Sequence, residues 1–338
     1  MTVVPHAVTA GRELVEAAMR AAVERLDPRM RRVAAYHFGW VEADGSAPKG
    51  PAGGKALRPA MALLSGRAAG ADMARVVPAA VAVEFVHAFS LLHDDVMDND
   101  RMRRHRPAAW TVFGVPAAIL AGDALLALAE EVLLDRGTAG AHRAARHIAA
   151  TTRKLIAGQA LDLGFETRTD VSLDECTVMS MDKTAALFAC SCSIGAVLAE
   201  APNRLALALS GFGEDLGLAF QLVDDLLGIW GEPEVTGKPV LNDLRSRKKS
   251  LPVTAALGAG TPASARLALL YTQTDPLTEP QLVEAAALIE EAGGRAWAEA
   301  AADARVAAAE ARLAGADIPD DVRAEFLAVA RFVTHRDS

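Results

Sequence analysis

An all-α fold is what this sequence predicts, on three observations. Ala, Leu, Arg and Glu dominate, β-branched residues rarely fall into alternating runs, and aromatics are few, with 10 Phe, 4 Trp and 2 Tyr among 338 residues. Hydrophobic residues make up 51% and charged residues 23%, a globular composition able to bury a sizeable core. In chain order the helical pattern runs over 8–40 and, past a turn-rich break at 44–54, over 55–69 and 75–98. A charged break at 102–107 precedes the stretches 115–135, 140–163, 172–200 and 203–230. Breaks at 231–243 and 258–262 set off 250–258, 264–272, 279–312 and 319–335. No break is long enough for a linker, so residues 1–338 read as one domain around a helical bundle.

The charge balance of −8 gives no support to a general nucleic-acid binder, although a local pocket for a small anion remains compatible with it. Charges interrupt every apolar run, so no integral membrane segment is expected. The first residues lack the basic, apolar and small-residue succession of a secretion signal. Cys176, Cys190 and Cys192 are odd in number and form no C-x-x-C pair, which disfavours a disulfide framework or zinc cage and fits a reducing cytoplasm.

The chemistry concentrates in a few stretches. His87-Ala-Phe89-Ser90-Leu-Leu-His93-Asp94-Asp95-Val-Met-Asp98 places acids at the end of an apolar helix, a costly arrangement without cations. At about 100° per residue Asp94 and Asp98 share a face, so they can bridge Mg²⁺, with Asp95 to the side. Phe220-Gln221-Leu-Val-Asp224-Asp225 repeats the theme on a later helix. Two such helices facing each other would hold divalent ions between the walls of a bundle. Taken singly, each acidic pair also suits a solvated helix end. The cations fall into separate sets: Lys55 and Arg58 on a first helical turn after Gly53-Gly54, Arg103 and Arg104 after the first acidic motif, then Lys183-Thr184 and Lys238. Metal-holding acids with two basic sets imply two polyanionic groups, one bound through metals and one directly.

In this order and spacing the motifs resemble those of the trans-isoprenyl diphosphate synthases, the family of farnesyl and geranylgeranyl diphosphate synthases. The matching residues are Gly53-Gly54-Lys55-x-x-Arg58-Pro59, Asp94-Asp95-x-x-Asp98 with Arg103-Arg104-x-x-Pro107, Gly158-Gln159-x-x-Asp162, Lys183-Thr184, and Phe220-Gln221-x-x-Asp224-Asp225 with Gly237-Lys238. The resemblance implies a helical bundle around a deep cavity, normally a homodimer. It implies that Asp94, Asp98 and Asp224 coordinate three Mg²⁺ on the diphosphate of an allylic substrate, supported by Asp95 and Asp225. Arg103, Lys183 and Lys238 would bind the same diphosphate. Lys55, Arg58, His87 and Arg104 would hold isopentenyl diphosphate, with Thr184 and Gln221 at the reacting ends and Asp162 a further member.

Product length is a geometric matter. Ser90 and Phe89 precede Asp94 by four and five residues and lie about 6 to 7.5 Å along the helix from it, where a growing tail would descend. In the resembling enzymes two aromatics there close the pocket near C15, whereas one aromatic beside a small residue resembles synthases making C20, which is the length expected here. His93 reads as a packed or hydrogen-bonding residue, and the cysteines as small buried ones. Gly228 stands where the third acid of the second motif often lies, His105 where a glycine follows the paired arginines, and Ala56 where an arginine is frequent. A farnesyl synthase, a terpene cyclase on the same fold and a non-catalytic partner subunit are the competing readings. The second basic set disfavours the cyclase, and the intact acidic motifs disfavour the non-catalytic subunit.

Overall fold

The computed structural model describes residues 5–48, 56–231 and 241–334. Within them helices succeed one another, interrupted by one small antiparallel hairpin. The amino-terminal region is α1 (His6–Ala10), α2 (Arg12–Val23) and α3 (Pro28–His37) where the periodicity predicts one helix over 8–40. The break has a local cause: Pro28 holds the residue before it extended, and the Asp27 side chain caps the new helix by accepting from the Arg29 N–H at 2.9 Å.

The centre is built from α4 (Leu57–Ala68), α5 (Met73–Met97), α7 (Val115–Leu134), α8 (Ala139–Glu166), α10 (Ala186–Leu198) and α11 (Asn203–Trp230), with the short α6 (Ala109–Phe113) before α7. Helix α5 packs on α4 and α7, while α10 packs on α4, α8 and α11. The helix interior of α5 contains Pro78, which has no N–H to offer the Ala74 carbonyl. Arg136, at the end of α7, donates to that carbonyl at 2.9 Å, so the backbone accounting closes.

The stretch read as one helix over 172–200 is α9 (Leu173–Ser180), a π-helical turn Met181–Ala185 and α10. The remaining elements are α12 (Asn242–Arg245), α13 (Leu251–Gly258), α14 (Pro262–Tyr271), α15 (Glu279–Glu291), α16 (Gly294–Ala314) and α17 (Asp320–Thr334). Gly293, at φ 84°, divides α15 from α16 where one helix over 279–312 is expected, since only glycine takes that backbone without strain.

Met73–Met97, Leu173–Leu198 and Asn203–Trp230 are long and apolar enough to cross a membrane by length and composition. Their apolar surface is taken up by other helices, 72%, 67% and 50% of the relevant windows being buried inside the bundle. The cysteines conform to expectation, being free and buried, with burial pushing the Cys176 and Cys190 thiols up to about 12.

Candidate active site

The last turn of α5 carries Asp94, Asp95 and Asp98, and the hairpin that follows turns a guanidinium back onto it. Strands β1 (Met102–Arg103) and β2 (Arg106–Pro107) pair antiparallel, Arg103 opposite Arg106. Arg104 and His105 form the turn at φ 52° and 61°, two consecutive left-handed residues as in a type I′ turn. This explains why a glycine is usual at the position of His105. Arg106 pins the hairpin by donating to the Tyr36 and Val41 carbonyls at 3.1 and 2.9 Å, and Trp110 Nε1 donates to the Asp100 carbonyl at 2.8 Å.

Arg103 Nε thereby donates to Asp95 Oδ1 at 2.8 Å, with a second contact from Nη2. Asp95 is only 1% exposed, and its Oδ2 has no hydrogen-bond partner among the described residues. Asp94 and Asp98 are more open. Burial, opposed by Lys183 and reinforced by Asp98, raises Asp94 to about 6, and burial likewise raises Asp98.

The opposite wall is α11. Gln221 lies one turn before Asp225 and donates to its Oδ1 at 2.8 Å, while the Leu251 N–H donates to Oδ2 at 2.9 Å. The Thr184 hydroxyl donates to Gln221 Oε1 at 2.6 Å, linking the π-helical turn to the acidic wall. Burial raises Asp225, 2% exposed, to about 6 against the pull of Lys248, whose Nζ is 3.9 Å away. Burial would lower the Lys248 ammonium, but Asp243, Asp225, Asp162 and Asp224 outweigh it and raise it instead. Asp98 feels Lys248 too, so the two acidic walls share one cation between them.

The π-helical turn supplies Lys183, which pairs with Asp162 of α8 at 2.5 Å and acts electrostatically on both Asp94 and Asp98. A π turn carries one extra residue, which re-aims the side chains following it. It fits here because α8 has Gly158 at the contact: a Cβ there would lie 2.3 Å from the Lys183 backbone N.

A third group lies on the other side of the hairpin. Arg58 Nη1 is 3.4 Å from His87 Nε2, and its guanidinium covers the Phe188 ring at 4.7 Å. Burial and then Arg58 and Arg104 lower His87 well below its ordinary value, leaving a neutral ring at neutral pH. His37 is pushed down to about 3 by burial and by Arg104, Arg103 and Arg106. Burial lowers Arg104 against the attraction of Glu84, whose own carboxyl is raised by burial. Lys55 and Lys238 lie outside the described residues, as do Gly53, Gly54 and Gly237.

The structure therefore brings together Asp94, Asp95, Asp98, Arg103, Lys183, Thr184, Gln221, Asp224 and Asp225, and separately Arg58, His87 and Arg104. Sequence reasoning missed Lys248, Asp243, His37 and Glu84. The signal for Asp243 was the glycine at 228: a Cβ there would lie 2.3 Å from Asp243 Oδ2, so this carboxylate occupies the room a side chain at 228 would take. Lys248 was hidden in the run Arg245-Ser-Arg247-Lys248-Lys249, which reads as solvated charge.

Among the described residues no three His, Cys, Asp or Glu side chains form a closed metal cage. The donors fit Mg²⁺ in a different way. They are all carboxylate oxygens on facing walls, with an unpartnered buried oxygen on Asp95, and Mg²⁺ keeps waters and takes one or two carboxylates plus substrate phosphate oxygens.

The Polyprenyl synthetase family pattern matches residues 49–289. The chain is 49% identical to a (2E,6E)-farnesyl diphosphate synthase of Mycobacterium tuberculosis, over 96% of this chain and 91% of that one. It is 43% identical to a geranylgeranyl diphosphate synthase of the same organism, over 94% and 90%. A crystal structure of a polyprenyl synthetase from Streptomyces coelicolor superposes with a TM-score of 0.92 at 53% identity, covering 96% of this chain and 98% of that one. A geranylgeranyl pyrophosphate synthase from Corynebacterium glutamicum, complexed with isoprenyl diphosphate and magnesium, superposes with a TM-score of 0.82 at 28% identity over 99% of both chains. With two facing acidic walls, interleaved cations and these relatives, the chain belongs to the polyprenyl synthetase family, the trans-isoprenyl diphosphate synthases, and is a prenyltransferase that elongates prenyl chains.

Proposed function

We propose that this chain, as a single domain over 1–338, joins isopentenyl diphosphate head-to-tail to an allylic diphosphate and releases geranylgeranyl diphosphate, C20. The observation that carries the reading is the meeting of Asp94, Asp98, Lys183 and Lys248 between α5 and α11, an acid and base arrangement suited to a metal-bound polyanion. The magnesium and isoprenyl diphosphate held by the Corynebacterium protein support it.

In this reading Asp94, Asp98 and Asp224 hold Mg²⁺, three ions per site, with Asp95 and Asp225 in support. Bound there, Mg²⁺ neutralises charge on the diphosphate and favours its departure. Arg103, Lys183 and Lys238 bind the same diphosphate and stabilise the charge that grows on it as the allylic C–O bond breaks. Asp95 fixes the Arg103 guanidinium beforehand, so no reorganisation is required at that moment. Lys55, Arg58, His87 and Arg104 orient isopentenyl diphosphate, with neutral His87 giving a single N–H. Thr184 and Gln221 flank the reacting carbons, and apolar walls keep water from the allylic cation. The proton lost after the new C–C bond forms goes to the departed diphosphate, so no side-chain nucleophile is needed. The enzyme works as a homodimer in the cytoplasm.

C20 is supported by Ser90 one turn from Asp94, with Phe89 as the only aromatic of the pair. The 49% relatives named as farnesyl synthases favour a second reading, in which elongation stops at C15. The test is product mass after incubating the purified protein with Mg²⁺, isopentenyl diphosphate and each of dimethylallyl, geranyl and farnesyl diphosphate. A C20 diphosphate supports the first reading and a C15 stop the second. A hydrocarbon or alcohol formed without isopentenyl diphosphate means a cyclase, and no turnover with any primer means a non-catalytic subunit.

A further inference from the structure

We propose that His93 is a positioning residue for product length: wedged between α5 and α7, it holds the Phe89 ring in the wall past which the prenyl tail descends. The inference rests on the elongation reading above and on the place of Phe89 in that wall. His93 Nε2 lies 3.0 Å from the Ile119 carbonyl of α7. A carbonyl only accepts, so Nε2 carries the hydrogen and the ring orientation is set. Three residues further along α7, Gly122 is where the backbone presses against that ring: a Cβ there would lie 2.4 Å from Nε2 and 2.5 Å from Cδ2. The imidazole is thus locked by a hydrogen bond and by the absence of a methyl group.

Its other side meets Phe89. The two residues are one turn apart on the same face of α5, and their rings meet edge to face with centroids 4.8 Å apart. Phe89 is 6% exposed, a buried ring with the imidazole against its edge. A buried phenyl ring on α5 below Asp94, braced by a locked imidazole, suits a wall beside the descending tail. Without the imidazole the Phe89 rotamer is released toward α7 and the channel widens by up to a ring. Elongation then continues past the native stop.

The proposal is tested with full-length His93→Gln, Phe89→Ala, the double variant and Gly122→Ala, each given Mg²⁺, isopentenyl diphosphate and dimethylallyl diphosphate. Product lengths are read by mass spectrometry, with circular dichroism and thermal melting as folding controls. His93→Gln keeps an N–H within reach of Ile119 but loses the ring, and is expected to raise the fraction of product at least one five-carbon unit longer by fivefold or more. Phe89→Ala is expected to lengthen the product as well, and the double variant to go no further than Phe89→Ala alone, because His93 acts through Phe89. Gly122→Ala, which displaces the imidazole without removing it, is expected to give the same lengthening and serves if His93→Gln does not fold. Lengthening by Phe89→Ala with unchanged length in both His93→Gln and Gly122→Ala overturns the role of His93 and leaves the wall intact. Unchanged length in Phe89→Ala removes the wall and the proposal with it, and additive lengthening in the double variant overturns action through Phe89.

Discussion

Asp94 offers a perturbation whose effects on folding and on turnover have opposite signs. Its carboxyl is raised from 3.8 to about 6, chiefly by burial. For an acid raised in the folded state, the stabilising contribution is fully present below the unfolded value and is lost as pH climbs through the folded one. Above about pH 6 the ionised carboxylate therefore works against the metal-free fold, and Asp94→Asn removes that penalty. Two pH units correspond to a ceiling of about 3 kcal/mol. Asp94 is half-buried, and solvent screening reduces this to roughly 1–2 kcal/mol. With an unfolding entropy on the order of 0.7 kcal/mol/K for a chain of this length, Asp94→Asn should melt about 1.5–3 °C higher than wild type at pH 8 in EDTA. The gap should close toward pH 4, where both side chains are neutral. Adding Mg²⁺ with an isoprenyl diphosphate should reverse the order, since only the carboxylate is a ligand worth having for a hard cation. Turnover should fall on the order of a hundredfold or more. Thermal unfolding followed by circular dichroism at both pH values is the assay, and a variant no more stable than wild type at pH 8 in EDTA would refute the electrostatic reasoning.

Ser90→Phe should shorten the product by at least one five-carbon unit, read by mass spectrometry; an unchanged length would count against a tail passing Ser90. Gly158→Ala places a methyl 2.3 Å from the Lys183 backbone N and should cost on the order of 1–3 kcal/mol in denaturant unfolding, together with turnover, as the π turn shifts. His105→Gly relieves a left-handed backbone at φ 61° and should raise stability by about 0.5 kcal/mol, the strain relief being partly offset by greater freedom of the unfolded chain. Chelation with EDTA should abolish condensation and added Mg²⁺ restore it; turnover that survives chelation and dialysis would exclude a role for divalent ions.

Helix content was legible because periodicity and composition report directly on burial, and α7, α8 and α11 lie close to where the pattern puts them. What periodicity does not register is a change of axis between two stretches of equal amphipathicity. The first predicted helix hid the break at Asp27–Pro28, and the last long one hid Gly293, although both carry their punctuation in the sequence. The π turn at Met181–Ala185 is less readable still. It depends on α8 coming near enough to need Gly158, a contact between residues on different helices.

The same distinction separates what was and was not visible of the site. Asp94 and Asp98 share a helix, so their common face follows from helical geometry alone. Gly228 and Asp243 share only a location: a glycine on α11 makes room for a carboxylate delivered from α12, and neither residue announces the other along the chain. Lys248 is the sharper case. In sequence it is one cation in a basic run, and in space it faces Asp243, Asp225, Asp162 and Asp224 from a partly buried position. A fold that gathers this many acids around a cavity needs cations nearby while the substrate is away. Lys183 and Lys248 supply them, yet burial still holds Asp94, Asp95, Asp98 and Asp225 above their ordinary values. That raised state leaves the cavity favouring added positive charge, which is the condition that the proposed binding of a metal-bound diphosphate requires.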